Sequence, residues 1–187
     1  MNLTVEEKKI LLEAARKSIQ SLFGKTEIEK PDYSLYPVLK ENAGAFVTLT
    51  KDKQLRGCIG YITSDKYLFE TVCDAAVQAA ESDPRFIPVK KNEVNSIQIE
   101  VSVLSKPLPI NSYDEIKVGV HGLILEEKGR RGLLLPQVPI EHHLNKEQFL
   151  DAICHKTGFP SGYWKTKLLK LSGFTATVFN EEEMDAR

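Results

Sequence analysis

An arginine and a cysteine two residues apart form the most distinctive chemical pair in this sequence. Arg56 and Cys58 lie in the segment LRGCIG, residues 55–60, whose composition predicts a β-strand. Side chains two positions apart in a strand point to the same face, and a guanidinium beside a thiol favours the reactive thiolate. The pair therefore predicts Cys58 as a nucleophile, a redox centre or a metal ligand. In the alternative interpretation Cys58 is a small buried hydrophobic side chain, as free cysteine usually is.

Two glycines, Gly57 and Gly60, interrupt the same predicted strand. Glycine weakens a strand interior, so its presence indicates a β-bulge or a close approach of another group to the backbone. We therefore include both glycines among the candidate ligand-binding residues. In the alternative interpretation they serve packing alone, because nothing larger fits at those positions.

Three further side chains are candidates for the same site. His121 lies between two glycines in VGVHGL, and a histidine side chain can act as base for a thiol. The alternative is a histidine that only forms a hydrogen bond in a turn. Glu100 lies on the polar side of an otherwise apolar strand and is a candidate acid or base if that side lines a cleft. Arg85, in the segment DPRF, is a candidate for binding an anionic group, and pairing with a surface carboxylate is the alternative.

The usual cofactor and metal motifs are absent from the sequence. It contains no CxxC, no histidine pair with the spacing of metalloproteases, no Walker A motif and no dinucleotide-binding glycine fingerprint. His142 and His143 are adjacent, so their side chains point in different directions and do not chelate one ion. We therefore predict no metal site and no cofactor.

Helical and strand periodicities alternate irregularly along the first half of the chain. Residues 4–7 fit a capping box and begin an amphipathic helix that extends to about residue 22. Residues 45–50 and 55–62 predict a β-hairpin, residues 66–81 a helix with an alanine-rich buried face, and residues 96–104 a half-buried strand.

The second half is predicted to contain shorter elements. Three short strands are expected at residues 116–120, 123–127 and 132–135, and a helix at 146–156 with Asn145 as its N-terminal cap. Residues 173–179 predict one late strand, and the acidic tail is expected to fray. The mixture lacks a strict βαβ alternation, which predicts an α+β fold with mixed, mostly antiparallel sheets packed against helices.

Composition limits the function classes. The chain has 187 residues, 25 Lys+Arg against 26 Asp+Glu, and three cysteines, which argues against a secreted disulfide scaffold. No stretch approaches the length of an apolar membrane span, and no signal peptide is expected, so we predict a soluble cytoplasmic protein. Basic residues cluster locally, but the near-zero net charge makes nucleic acid an unfavoured partner. These clusters comprise Lys128, Arg130, Arg131, Lys165, Lys167 and Lys170.

Seven ordered segments resemble the AMMECR1 family, over roughly residues 39–180. LRGCIG resembles the hallmark of that family, and Arg85, His121 and Gln137 fall inside other matching segments. The seven segments are GAFVTL, LRGCIG, DPRF with Pro88, IEVSVL, VGVHGL, GLLLPQV and CHKTGFP with Trp164.

The resemblance implies a single domain, residues 1–187, with a larger and a smaller lobe and with residues 55–60 facing the cleft between them. It implies an intracellular location, and it implies no particular reaction, because the family has no established biochemical activity. It also implies a shared pathway or complex with Memo-like or radical SAM proteins, and roles in nucleic-acid transactions have been suggested for the family.

Three hypotheses follow. In the first, the cleft binds a small anionic ligand through Arg56, Gly57, Gly60, Arg85 and Gln137, while Cys58, His121 and Glu100 act on it. In the second, the protein is a non-catalytic partner or scaffold for a Memo-like or radical SAM protein. In the third and least favoured, the basic clusters bind nucleic acid.

Overall fold

The computed structural model describes residues 1–185 and divides the chain into two compact units. The first unit contains residues 1–104 together with the segment from residue 177 onward, and the second contains residues 105–176. Each unit is described by itself below. The α+β class predicted from the sequence is confirmed, because each unit combines helices with an antiparallel sheet.

The helices are α1 (Val5–Ser21), α2 (Leu68–Glu81), α3 (Val138–Glu141), α4 (Lys146–Lys156) and α5 (Glu181–Asp185). The strands are β1 (Ala45–Lys51), β2 (Gln54–Tyr61), β3 (Gln98–Leu104), β4 (Leu108–Pro109), β5 (Gly122–Glu127), β6 (Arg130–Leu134), β7 (Leu171–Phe174) and β8 (Ala176–Asn180). Short 3-10 helices occupy Pro37–Lys40, Lys91–Ser96, Tyr113–Glu115 and Tyr163–Lys165.

The first unit is a four-stranded sheet with two long helices on one face. Its strand order is β2-β1-β3-β8, and β1 pairs antiparallel with both β2 and β3. Ala45, Val47 and Leu49 of β1 are fully buried, as are Ala75 and Ala76 of α2. Alternate residues of a strand point to opposite faces, so the intervening β1 side chains lie on the face away from the helices.

Local sequence explains how α1 begins. The Thr4 hydroxyl accepts a hydrogen bond from the Glu7 backbone N–H at 3.2 Å, while the Glu7 carboxylate accepts one from the Thr4 backbone N–H at 2.8 Å. This reciprocal capping box satisfies donors that the first helical turn leaves free.

A bulge interrupts the β1–β2 pairing inside LRGCIG. Leu49 pairs with Gly57 and Thr50 pairs with Leu55, which leaves Arg56 as the extra residue. A bulge bends the strand and redirects the side chain at that position. Arg56 and Cys58 therefore do not follow the simple alternation expected of a regular strand.

The second unit is a smaller sheet packed against α4. Its strand order is β4-β7-β5-β6, with antiparallel pairing throughout. The β5–β6 hairpin turns at Lys128 and Gly129, which both have positive φ (47° and 74°), as a two-residue type I′ turn requires. Asn145 and Gln148 form a capping box that begins α4, as predicted.

Three local predictions were wrong. Residues 116–120 form no strand; they form a turn in which the backbone N–H groups of Val120 and His121 both donate to the carbonyl of Lys117. Residues 173–179 form two strands rather than one, β7 in the second sheet and β8 in the first. The acidic tail begins as helix α5, and residues 186 and 187 lie outside the described part of the chain.

Candidate functional site

A row of three polar residues crosses three neighbouring strands of the first unit. Thr48 of β1 lies directly opposite Cys58 of β2 on one side and opposite Glu100 of β3 on the other. Residues directly opposite in an antiparallel pair have Cβ atoms only about 5 Å apart and share a face of the sheet. Because Val47 and Leu49 face the helices, this row lies on the other face.

The Thr48 hydroxyl is a direct partner of the Cys58 sulfur. The distance from Thr48 Oγ1 to Cys58 Sγ is 3.3 Å, with the hydroxyl as donor. Cys58 and Thr48 are both half-buried. A hydroxyl donor at this position stabilises negative charge that develops on sulfur.

Asp83 connects the backbone of Cys58 to an arginine side chain. Its carboxylate, only 3% exposed, accepts from the Cys58 backbone N–H at 2.8 Å (Oδ2). It also accepts from Arg85 Nε at 2.9 Å (Oδ1) and from Arg85 Nη2 at 2.7 Å (Oδ2). The bonds from Arg85, aided by the Cys58 N–H, hold the pKa of the Asp83 carboxyl far below its usual range.

Arg85 is fixed at one edge of its guanidinium and open at the other. Its side chain is 55% exposed, and among the described residues the hydrogen bonds to Asp83 use Nε and Nη2 and leave Nη1 unused. The carboxylate of Asp83 raises the pKa of Arg85, and the nearby Cys58 contributes in the same direction. A guanidinium held in this way offers N–H donors to a carboxylate or phosphate.

Arg56 has a different set of partners from the one its spacing to Cys58 suggested. Its Nε and Nη2 atoms donate to the two carboxylate oxygens of Glu93 at 3.2 and 3.0 Å. Nη1 donates to the carbonyl of Ile87 at 2.9 Å, and Nη2 lies 3.3 Å from that of Pro88. Arg56 therefore holds the segment after α2 against β2. Nε, Nη1 and Nη2 of its guanidinium all donate to groups of the protein rather than to a ligand.

The two glycines of LRGCIG are sites of close packing. A Cβ atom on Gly57 would lie 2.2 Å from the carbonyl oxygen of Ala79, on α2. A Cβ atom on Gly60 would lie 2.4 Å from the carbonyl oxygen of Ala45 and equally close to the ring of Phe46. Both observations agree with the interpretation in which nothing larger than glycine fits.

Two of the predicted site residues belong to the second unit. The His121 Nδ1 atom accepts a 3.4 Å hydrogen bond from the Lys117 backbone N–H, which is the turn role considered for it in the sequence. Gln137 precedes α3, and its buried Oε1 atom has no hydrogen-bond partner in the described part of the chain. In the first unit, by contrast, Asp83 brings Arg85 close to Cys58, and Glu100 lies in the same polar row as Cys58, on the far side of Thr48.

Sequence reasoning missed Thr48 and underrated Asp83. Thr48 could be found only from the register of β1 against β2. An aspartate before a proline, as at Asp83, is typical of a cap or turn residue, and its buried contact with the Cys58 N–H follows only from where the loop returns to β2. Within residues 1–185 no group of three or more His, Cys, Asp or Glu side chains is arranged to hold a metal ion, and no helix is long and apolar enough to cross a membrane.

Comparison with known proteins supports the resemblance seen in the sequence. The AMMECR1 family model matches residues 12–179. Protein Mbar_A1807 of Methanosarcina barkeri is 39% identical, over 97% of this chain and 93% of that protein. Protein MK0488 of Methanopyrus kandleri is 42% identical, over 97% and 91%. The crystal structure of an uncharacterized protein, PH0010, from Pyrococcus horikoshii matches with a TM-score of 0.81 at 40% identity, over 92% of this chain and 90% of that one.

Proposed function

The chain belongs to the AMMECR1 family, and we propose that it binds a small anionic ligand beside Cys58, with Cys58 as the reacting thiol. Arg85 binds the anionic group of the ligand. Thr48 supports charge on the sulfur, and Glu100 serves proton transfer. The proposal rests on the first unit alone and assigns no role to His121 or Gln137.

The single observation that carries this proposal is the buried carboxylate of Asp83. It binds both the backbone N–H of Cys58 and the guanidinium of Arg85, so a thiol and a fixed cation are neighbours. Thiols that react in proteins are commonly partly exposed and close to a cationic side chain, as Cys58 is to Arg85.

The ligand lies along the polar row in this proposal. Neighbouring strands are about 4.8 Å apart, so Glu100 is roughly 10 Å from Cys58. That separation is too great for direct proton exchange between the two side chains. Glu100 therefore acts on the far end of a ligand that extends across Thr48.

Alkylation of Cys58 by iodoacetamide tests the proposal. The rate is measured at Cys58 by peptide mass spectrometry across a pH series, with and without inorganic phosphate or succinate as anionic probes. We expect Cys58 to react in the folded protein, faster than the buried Cys154, and either anion to slow the reaction. A Cys58 that reacts only after unfolding would overturn its role as nucleophile.

Two variants make this test specific. Arg85→Ala should abolish the protection by phosphate and succinate. Arg131→Ala is the matched control, because Arg131 is similarly exposed (50%) and also pairs with a carboxylate, that of Glu126, but lies in the second unit. If both variants keep full protection, Arg85 does not bind the anion.

A second candidate function is docking of a Memo-like or radical SAM protein without catalysis. It is favoured by two exposed apolar side chains beside the Arg56 contacts, Leu55 (41% exposed) and Ile87 (67%). Co-purification from the native source tests it. Partner binding that survives Cys58→Ala but is lost in a Leu55→Ser, Ile87→Ser variant would favour docking over chemistry at the thiol.

The proposed chemistry also suggests where the protein works. All three cysteines are free, and a reactive Cys58 requires a reducing compartment to stay reduced. We therefore propose a cytoplasmic location, which fractionation of the native cells would test.

A further inference from the structure

We infer that Asp83 is a positioning residue that holds the Arg85 guanidinium beside the Cys58 thiol. This inference rests on the proposed function, since it concerns the same site. It assigns the arrangement of the site to a residue that does not itself contact the ligand.

The geometry uses both oxygens of the carboxylate. Oδ2 accepts from the Cys58 N–H and from Arg85 Nη2, while Oδ1 accepts from Arg85 Nε and, at 3.1 Å, from the Arg85 backbone N–H. Two parallel bonds to one guanidinium edge fix its plane as well as its distance. The Cys58 N–H fixes the carboxylate relative to β2.

Asp83 and Arg85 differ in their exposure to solvent. The Asp83 side chain is 3% exposed, whereas that of Arg85 is 55% exposed. An exposed arginine normally samples many rotamers, and ordering it on ligand binding carries an entropic cost. A buried carboxylate that has already ordered Arg85 removes most of that cost and keeps the unused Nη1 edge available.

A purely structural role for Asp83 is the alternative. In that case its bond to the Cys58 N–H ties the loop after α2 to β2, and Arg85 merely balances a buried charge. The two roles differ in one measurable respect. If Asp83 positions Arg85, the change in Cys58 reactivity on removal of Arg85 depends on whether Asp83 is present. If Asp83 is purely structural, substitutions at Arg85 and at Asp83 change the reactivity of Cys58 independently.

The test compares an anionic and a neutral reagent at Cys58. The ratio of the alkylation rates with iodoacetate and iodoacetamide reports the local potential, because the two reagents differ mainly in charge. It is measured by peptide mass spectrometry for the wild type, Asp83→Asn, Arg85→Ala and the double variant. Asparagine keeps the shape of Asp83, but its NH₂ group cannot accept a hydrogen bond. The pair of hydrogen bonds from Arg85 Nε and Nη2 to the side chain at position 83 is therefore lost.

We expect Arg85→Ala to lower the ratio by roughly threefold to tenfold in the wild-type background, the range for one full charge near a half-exposed group. In the Asp83→Asn background the same change should have almost no effect. An equal effect in both backgrounds overturns the positioning role and leaves the proposed anion site intact. No effect of Arg85→Ala in either background overturns the proposed function itself.

A second measurement covers the case in which Asp83→Asn does not fold. The measurement is NMR of wild-type protein labelled with ¹⁵N-arginine, in which the Arg85 Nε–H signal is assigned by its loss in Arg85→Lys. We expect this hydrogen to exchange slowly with solvent and the Nε–H bond to have an order parameter close to that of backbone amides. Arg131 provides the reference, because its side chain is similarly exposed (50%) but its carboxylate partner, Glu126, is itself 42% exposed rather than buried. An Arg85 side chain as mobile as that of Arg131 would overturn the inference without any variant at Asp83.

Discussion

Arg56 of β2 and Glu93 of the Lys91–Ser96 helix form a two-bond ion pair in which both side chains are less than one-fifth exposed. The same guanidinium also binds the carbonyls of Ile87 and Pro88. One arginine thus binds acceptor oxygens of three residues on the segment between α2 and β3. This segment contains Asp83 and Arg85, so the Arg56 contacts hold the loop that supplies the proposed anion site.

The first prediction concerns the removal of Arg56. Arg56→Ala leaves the Glu93 carboxylate partly buried without its main partner and should lower the free energy of unfolding by about 3 kcal/mol. Arg56→Lys keeps the charge but loses the fork, so it should cost less. Chemical denaturation followed by circular dichroism checks this, with Trp164 fluorescence as a separate reporter of the second unit.

Arg131→Ala serves as the control for this prediction. Its pair with Glu126 is exposed on both sides, and removing it should change stability by less than about 1 kcal/mol. Equal losses for the two variants would mean that the Arg56 fork has no special structural role.

Acid should destabilise the first unit through Glu93. The Arg56 fork lowers the pKa of Glu93 from 4.5 to about 2. A carboxyl whose pKa is lower in the folded state stabilises the protein above its unfolded pKa, and this contribution is lost as pH falls from about 4.5 to about 2. The loss amounts to up to ~3 kcal/mol.

Glu93→Gln tests the assignment of this pH dependence. Its unfolding free energy should be lower than that of the wild type at pH 7 and should fall less steeply between pH 4.5 and 2. Part of the dependence of the unfolding free energy on pH should remain in this variant, because the pKa of Asp83 is also lowered in the folded state. An unchanged slope in Glu93→Gln would contradict the assignment.

Gly57→Ala should destabilise the contact between β2 and α2. The added Cβ meets the Ala79 carbonyl oxygen at 2.2 Å, so strand and helix must separate, at a cost of about 1–3 kcal/mol. Gly24→Ala is the matched control, because no atom lies within 4 Å of a Cβ added there. Thermal unfolding of the two variants should therefore differ clearly, and equal melting temperatures would contradict the close approach.

The sequence predicted elements better than it predicted the site. Capping boxes at Thr4 and Asn145 and the periodicity of α2 depend on neighbours in the chain, and all three were confirmed. The bulge at Arg56 and the pairing of Thr48 with Cys58 depend on register between strands, which no local pattern specifies. The late strand divided in two for the same reason, because β7 and β8 pair in different sheets.

Thr48→Val should slow the alkylation of Cys58. The change keeps the shape of the side chain but removes the hydroxyl that donates to the sulfur, and one hydrogen bond corresponds to roughly a twofold to tenfold change in rate. Thr48→Ser should retain the wild-type rate. Thr50→Val is the control, since Thr50 lies on the same face of β1 beside the bulge rather than opposite Cys58. Equal rates in Thr48→Val and Thr50→Val would exclude a role for the hydroxyl.

The last prediction concerns Glu181, in a tail expected to fray. Its carboxylate accepts from Arg16 Nε at 2.9 Å, from Arg16 Nη2 and, at 2.9 Å, from the Ile99 backbone N–H. Arg16 also donates to the carbonyls of Val94 and Ile97, so the pair joins α5, α1 and β3.

Glu181→Gln should therefore lower the free energy of unfolding by about 1–3 kcal/mol, because it leaves a partly buried guanidinium without its counter-charge. Glu182→Gln, at an exposed position of the same helix, should change it by less than about 0.5 kcal/mol. Hydrogen exchange followed by mass spectrometry shows which part of the chain is destabilised. Faster exchange at the start of β3 is expected in Glu181→Gln alone, because the Ile99 N–H loses a charged acceptor. Wild-type exchange there would show that the tail does not hold β3.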